Sequence, residues 1–395
     1  MSIAPDDPRL AALRPTWAEI DLSAFERNVA SMASRLPAGS RLVAVLKANA
    51  YGHGAVELAR RCSTEHVAMI ATALLEESLE LRRAGITLPL LVLGPLSESQ
   101  LVTALEHGIT PGVPGPEELE LVCRLARDRD ITIHLKLDSG MGRMGVVESE
   151  LPRVVALLHA APRVHVAGIY THFASSGDPH DPLTDQQRAQ FARMLAILRA
   201  GGVDAPLHHS ANSAATMRGI IEPGDLVRVG IALFGAEALD EGVSRLEPVM
   251  RWRSAILRLK ELPTGHAVGY GATFHTTRPS RIATIPLGYA DGYGRLLSNR
   301  GTVLVRGRRV PVVGRVSMDL VTLDVTDVPG VTLGDEVTLL GVQGADEITV
   351  EELAAKLGTI SYEVLCNVSA RVPRVYLDSG VVSVRTRFDA PLTEP

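Results

Sequence analysis

Lysine, arginine and tyrosine are the residues of this chain whose positions invite chemistry. Val43-Ala44-Val45-Leu46 is an apolar run that stops at Lys47; Tyr51 and a Gly52-His53-Gly54 turn follow, and a helical pattern runs from His53 to Cys62. Strand, lysine, turn and helix in that order put Lys47 at the carboxyl end of a buried strand, where α/β folds carry their sites. A lysine there either snorkels to water or presents a neutral amine able to form a Schiff base, its pKa lowered from about 10.4 by burial and nearby cations. Spacing alone does not separate the two.

Other polar exceptions interrupt apolar runs further on. Lys136-Leu137-Asp138-Ser139-Gly140-Met141-Gly142-Arg143 is a charged, glycine-rich loop in which Asp138 reads by default as neutralising two cations. His172 ends an apolar run, and Arg228 stands between Val227 and Val229, apolar company that does not suit a surface ion pair. Amides at Gly230 and Ile231 with the Ser213 hydroxyl make a plausible anion nest. His208 and His209 have no third ligand at metal spacing, so no metal is assigned. Gly269-Tyr270-Gly271 reads on its own as an exposed loop tip.

The elements that must position these residues alternate. Apolar strand patterns near 42–46, 67–71, 89–93, 109–113, 131–137, 164–171, 207–210 and 226–229 are separated by amphipathic runs such as 74–84, 97–107, 116–129 and 184–201. Eight strand–helix units predict an α/β fold, an N-terminal (β/α)8 TIM-type barrel, whose strand ends bring Lys47, Lys136, His172, Ser213 and Arg228 to one mouth. Pro111 and Pro114 make 109–113 the least regular of these strands. An open doubly wound sheet is the alternative, but no glycine fingerprint opens its first helix. Ser23 reads as the N-cap of a helix carrying Phe25, Val29 and Met32. Beyond Gly242 the chain becomes dense in Val, Thr, Gly and Arg, with a hairpin turning at Arg306-Gly307 and one helical run, Val350 to Leu357. The expected organisation is a loose tail over 1–15, a barrel over 16–243 and a mostly β C-terminal domain over 244–395.

At 395 residues the chain is long enough for two cores, and 46% hydrophobic with 22% charged residues is ordinary for a globular protein. A net charge of −5 with scattered basic residues argues against nucleic acid or a membrane surface as partner. Cys62, Cys123 and Cys366 form no disulfide framework, the first residues lack a secretory h-region, and no apolar run is long enough to span a bilayer; the expectation is cytoplasmic.

Val45-Leu46-Lys47-Ala48-Asn49-Ala50-Tyr51-Gly52-His53-Gly54 closely resembles the pyridoxal 5'-phosphate (PLP) segment of bacterial alanine racemases, and the resemblance runs from about Trp17 to Tyr376. It implies that Lys47 holds the cofactor as a Schiff base and acts as one catalytic base. It implies that Tyr270, reaching in from a partner subunit, is the other, so that a homodimer carries composite sites. Arg143 is implied to contact the cofactor's phenolic oxygen and the substrate carboxylate, with Lys136 carbamylated beside it. Arg228 is implied to meet the pyridine nitrogen with His172 next to it, and the Met318 amide to meet the carboxylate. Tyr51 and Tyr362 would close the phosphate site, and Tyr289 with Tyr362 would line the entrance. The implied activity is interconversion of L- and D-alanine by two-base proton transfer at Cα, supplying D-alanine for peptidoglycan. Gly269 stands where the family often has serine, and Leu320 where it often has glutamine. A serine or broad-specificity racemase, a decarboxylase of the same architecture and a non-enzymatic cofactor carrier are the other readings.

Overall fold

The computed structural model describes residues 13–222, 224–236 and 246–386. Most of the expected N-terminal tail and the expected boundary at 243/244 lie outside these residues.

Eight parallel strands form one sheet whose order returns on itself: Leu207–His209, Val164–Tyr170, Ile131–Lys136, Ile109–Val113, Leu90–Val92, Val67–Thr72, Arg41–Val45 and Leu226–Val229. The last seam, between the 207–209 and 226–229 strands, is joined by the Arg228 amide donating to the Ala211 carbonyl at 3.0 Å. The barrel is therefore nearly closed, and the open-sheet alternative is excluded. Strand residues are buried on both faces because helices such as Leu75–Arg83, Glu98–Glu106, Pro116–Leu125 and Leu183–Ala200 cover the outside. Ile109–Val113 is a strand despite Pro111, pairing in parallel with Leu90–Val92 and with the strand after it.

The C-terminal region is mostly β. One sheet contains Met250–Ala255, Thr302–Val305, Arg308–Pro311, Glu336–Gln343, Arg374–Leu377 and Val381–Arg385, and a second holds Arg258–Leu262, Ser280–Ile285 and Val321–Asp324. Two short helices, Val350–Leu357 and Ser361–Asn367, accompany them, one more than expected. Among the described residues no helix is long and apolar enough to cross a membrane.

Three local expectations are corrected. Thr16–Asp21, expected within the barrel range, lies between Met250–Ala255 and Arg374–Leu377 in the C-terminal sheet, so the chain begins in one layer system and then enters the barrel. Asp21, not Ser23, caps helix Leu22–Ala33: its carboxylate accepts from the Ala24 amide at 2.8 Å, while the Ser23 hydroxyl donates to Asp378. The expected helix from His53 is shorter, Ala55–Ala59.

Candidate active site

Lys47 leaves the end of the Arg41–Val45 strand and enters a turn of unusual hand. Ala48, Asn49, Ala50 and Tyr51 have φ of 52–53°, which makes Ala48–Tyr51 a left-handed helical turn. That conformation costs on the order of 1–2 kcal/mol per non-glycine residue, so surrounding bonds must hold it. The buried His53 Nδ1 donates to the carbonyls of Ala50 and Tyr51 at 2.9 and 3.0 Å. Arg374, from the C-terminal sheet, donates to the Gly52 carbonyl at 3.0 and 2.9 Å. Asn49 Oδ1 accepts from the Ala55 amide at 2.8 Å, and Glu77 Oε1 from the Ala48 amide at 2.6 Å.

The turn rims a cavity of ≈ 290 Å³ lined by Lys47, Tyr51, Lys136, Arg143, His172, Ser213, Arg228, Gly230, Ile231 and Tyr362, together with Asn212, Tyr170 and small or apolar residues. Ten of the expected site residues thus come together. The lining has four basic side chains, Lys47, Lys136, Arg143 and Arg228, and no carboxylate. Burial, then the charge of Arg143, lowers the pKa of Lys47, and the same causes in the same order bring Lys136 to about 8.

Arg228, 4% exposed, is held by its surroundings rather than by an acid. It donates to the carbonyls of His209 and Thr171 at 2.6 Å, to His209 Nδ1 at 2.9 Å and to His172 Nδ1 at 3.2 Å. Because a guanidinium only donates, both imidazoles carry their proton on Nε2, and His209 passes it toward His134 Nδ1 at 2.8 Å. Tyr170 stacks on His209 with centroids 4.7 Å apart, and Arg228 lies 5.3 Å from the Tyr170 ring centre. Burial lowers the Arg228 pKa to about 10, which still leaves it charged at neutral pH.

Asp138 departs from its default reading: its Oδ1 accepts from the amides of Gly140, Met141 and Gly142 at 2.9–3.1 Å, shaping the loop that carries Arg143. Ser213 Oγ accepts from the Gly230 amide at 3.0 Å, so that amide is already engaged. Gly230 leaves room for Tyr51, since a Cβ there would stand 2.4 Å from the Tyr51 hydroxyl.

Tyr270, Met318 and Tyr289 do not line this cavity. Tyr270 is 73% exposed at the tip of the hairpin pairing Ala267–Val268 with Phe274–His275, and Met318 is 52% exposed. Gly269 has φ +75° and ψ −176°, a glycine conformation, which gives a physical reason for the departure from serine there. Tyr289 and Met318 belong to one surface, the Tyr289 amide donating to Ser317 and the Ala290 amide to Met318. The site residues not foreseen are Glu77, Tyr170, His134, His209 and Arg374. Only the His208-His209 pair drew notice, and His209 serves Arg228 and His134.

The buried imidazoles make stability depend on pH. Burial, followed for all but His53 by repulsion from Arg228, brings His134 to about 4 and His172 to about 3 and holds His209 well below 6.5; burial likewise brings His53 to about 4. The unfolded chain takes up these protons near 6.5 and the folded chain does not, so stability present above that pH is lost as pH falls from about 6.5 toward 4. Asp225, raised to about 6 by burial, opposes this as a single group. The thermal midpoint is expected to drop across this window, and His209→Gln to flatten the drop; a midpoint constant from pH 7 to 4 contradicts it.

A nearly closed eight-stranded barrel with a strand-end lysine in a basic cavity, followed by a mostly β C-terminal domain, defines the class of fold and site. The family comparisons name it further. The alanine racemase N-terminal domain matches residues 20–238 and the alanine racemase C-terminal domain residues 249–376. An alanine racemase of Symbiobacterium thermophilum is 43% identical, covering 93% of this chain and 98% of its own length, and one of Halothermothrix orenii is 41% identical over 92% and 97%. The crystal structure of a Bacillus anthracis alanine racemase with bound L-Ala-P superposes with TM-score 0.89 at 37% identity, covering 95% and 98% of the two chains. That of a Bartonella henselae alanine racemase with covalently bound pyridoxal phosphate gives 0.84 at 29% identity, covering 92% and 100%. The chain belongs to the alanine racemase family, isomerases of the PLP-dependent racemase type.

Proposed function

We propose that this protein is a cytoplasmic, PLP-dependent alanine racemase, working as a homodimer and supplying D-alanine for peptidoglycan precursors. The observation that carries the reading is the cavity itself, with a pKa-lowered lysine at a strand end and four basic side chains without a carboxylate in its lining. Such a lining suits a dianionic phosphate and an aldehyde that needs a neutral amine. The space that Gly230 leaves for the Tyr51 hydroxyl suits the phosphate end, where Ser213, Ile231 and Tyr362 are also present. The residues therefore fit PLP.

Bound there, PLP supplies an aldehyde for covalent attachment of an amine and a conjugated ring that acidifies the substrate Cα–H. The residues of this chain do the rest. Lys47 takes or returns the Cα proton on one face, serving D-alanine, and the partner subunit's Tyr270 does so on the other, serving L-alanine. Arg143 and the Met318 amide orient the carboxylate. Lys136 as a carbamate is an anion that fixes Arg143; its lowered pKa favours the neutral amine this modification requires. Arg228 would hold the pyridine end of PLP and, keeping its own proton, would leave negative charge nearer Cα, favouring reprotonation there over transamination. His172 links Arg228 to the Tyr270 side, and Tyr289 with Tyr362 narrows the entrance. In this reading the 16–243 range, apart from the Thr16–Asp21 strand that pairs in the C-terminal sheet, forms the cofactor domain, and the 244–395 range supplies the second base. Tyr270, Met318, Leu320 and Tyr289 are all exposed large hydrophobic residues, which suits their burial against a partner subunit.

Gly230→Ala is expected to weaken PLP affinity about tenfold or more, because the new methyl displaces the Tyr51 hydroxyl; cofactor titration of the apoprotein measures this, and unchanged affinity removes Tyr51 from the phosphate site. The activity is tested by proton NMR in heavy water, with PLP present, on L-alanine, D-alanine, L-serine, L-lysine and L-ornithine offered separately. Loss of the Cα signal from both alanines, with the opposite enantiomer found by chiral separation, supports the reading. Release of carbon dioxide from a basic amino acid with no exchange of alanine replaces it by a decarboxylase.

A further inference from the structure

The left-handed turn after Lys47 has a support that comes from outside both the cavity lining and the C-terminal domain. Glu77 lies in the first turn of helix Leu75–Arg83 and is half-buried. Its Oε2 accepts from the amides of Ala73 and Leu74 at 2.9 and 3.1 Å, which is ordinary capping of a helix start. Its Oε1 accepts from the Ala48 amide at 2.6 Å, across 29 positions of sequence. Capping does not require that second oxygen to point there. The bond ends on the residue directly after Lys47, the first of four with φ near +52°, and the Ala73 end of the same carboxylate borders the cavity.

We infer that Glu77 is a positioning residue for the Lys47 amine, holding the left-handed turn through the Ala48 amide while its charge acts on the amine itself. The inference rests on the reading of Lys47 as the PLP lysine. Glutamine cannot replace the carboxylate here. Three amides converge on two oxygens, and an amide side chain turns one of those oxygens into a donor facing another donor. Burial, Arg143 and Arg228 lower the Lys47 pKa, Cys366 and Glu77 raise it, and Glu77 is the carboxylate among these groups. Removing Glu77 therefore moves the Lys47 titration to lower pH while letting the turn relax.

The test uses the full-length apoprotein and PLP, with borohydride to fix the PLP bound to lysine and peptide mass to identify the position, at a series of pH values. Wild type is expected to be labelled at Lys47. Glu77→Ala and Glu77→Gln are expected to label at least tenfold more slowly at the plateau, with the midpoint of the pH profile shifted downward. Ala48→Gly added to Glu77→Ala is expected to recover part of the rate, because glycine adopts this φ without cost and Ala48 is exposed. A purely structural role for Glu77 lowers the melting temperature of both variants and leaves the midpoint where it was. Wild-type plateau and midpoint in the folded variants overturn the inference, as does failure of Ala48→Gly to recover any rate. If Glu77→Ala does not fold, Glu77→Gln alone decides by its midpoint. If wild type itself is not labelled at Lys47, the functional reading falls and takes this inference with it.

Discussion

Lys47→Ala is expected to lower alanine racemisation by roughly ten-thousand-fold or more, the upper scale for losing a proton-transfer group, here combined with loss of the cofactor anchor. The reason lies in the surroundings of the amine. It stands at the end of a strand with buried neighbours, its pKa is lowered first by burial and then by Arg143, and the other lysine of the cavity, Lys136, ends a different strand, Ile131–Lys136. Borohydride treatment with PLP is expected to label wild type at Lys47 and to leave the variant unlabelled, while circular dichroism and thermal unfolding stay near wild type. Retention of more than a hundredth of the wild-type rate places the base elsewhere.

Tyr270→Phe separates the two faces of Cα. A single base still exchanges a proton on its own face, so D-alanine is expected to keep losing its Cα proton to heavy water through Lys47. L-alanine exchange is expected to fall by roughly 10²–10⁴-fold, the usual range for a proton-transfer side chain. Net racemisation falls equally in both directions, because the equilibrium between enantiomers is not the enzyme's to change. Folding and PLP binding are expected to survive, since the Tyr270 side chain is 73% exposed in the single chain and is not part of the cavity lining. Undiminished exchange of L-alanine removes Tyr270 from the mechanism.

The sequence was most legible where one strong local pattern coincided with one element. Val43 to Lys47 read as strand and site because an apolar run ends in a lone cation, and barrel geometry then carried Lys136, His172, Ser213 and Arg228 to the same mouth. The left-handed turn was not legible. Ala48-Asn49-Ala50-Tyr51 contains no glycine, and its conformation is supported by His53 next to it and by Glu77 and Arg374 from other segments. Thr16–Asp21 shows the same limit from another side: alternation marks it as a strand, but nothing local says that its partners are Met250–Ala255 and Arg374–Leu377. Asp138 misled because charge suggests cations as partners, whereas a short carboxylate followed by glycines accepts from backbone amides just as readily. His209 was overlooked as a support because its work, accepting from Arg228 and donating to His134, joins three strands.

The central claim is that Lys47 of one chain and Tyr270 of another act on the same alanine. It is tested most directly by mixing Lys47→Ala and Tyr270→Phe chains, dissociated and allowed to reassociate, and measuring racemisation. Each parent alone is inactive in this account, but half of the randomly formed dimers are mixed, and each mixed dimer has one site with both bases intact. Activity is expected to rise to about a quarter of wild type. Activity no greater than the sum of the two parents, with mixed dimers demonstrated by mass, contradicts the composite site and returns both bases to a single chain.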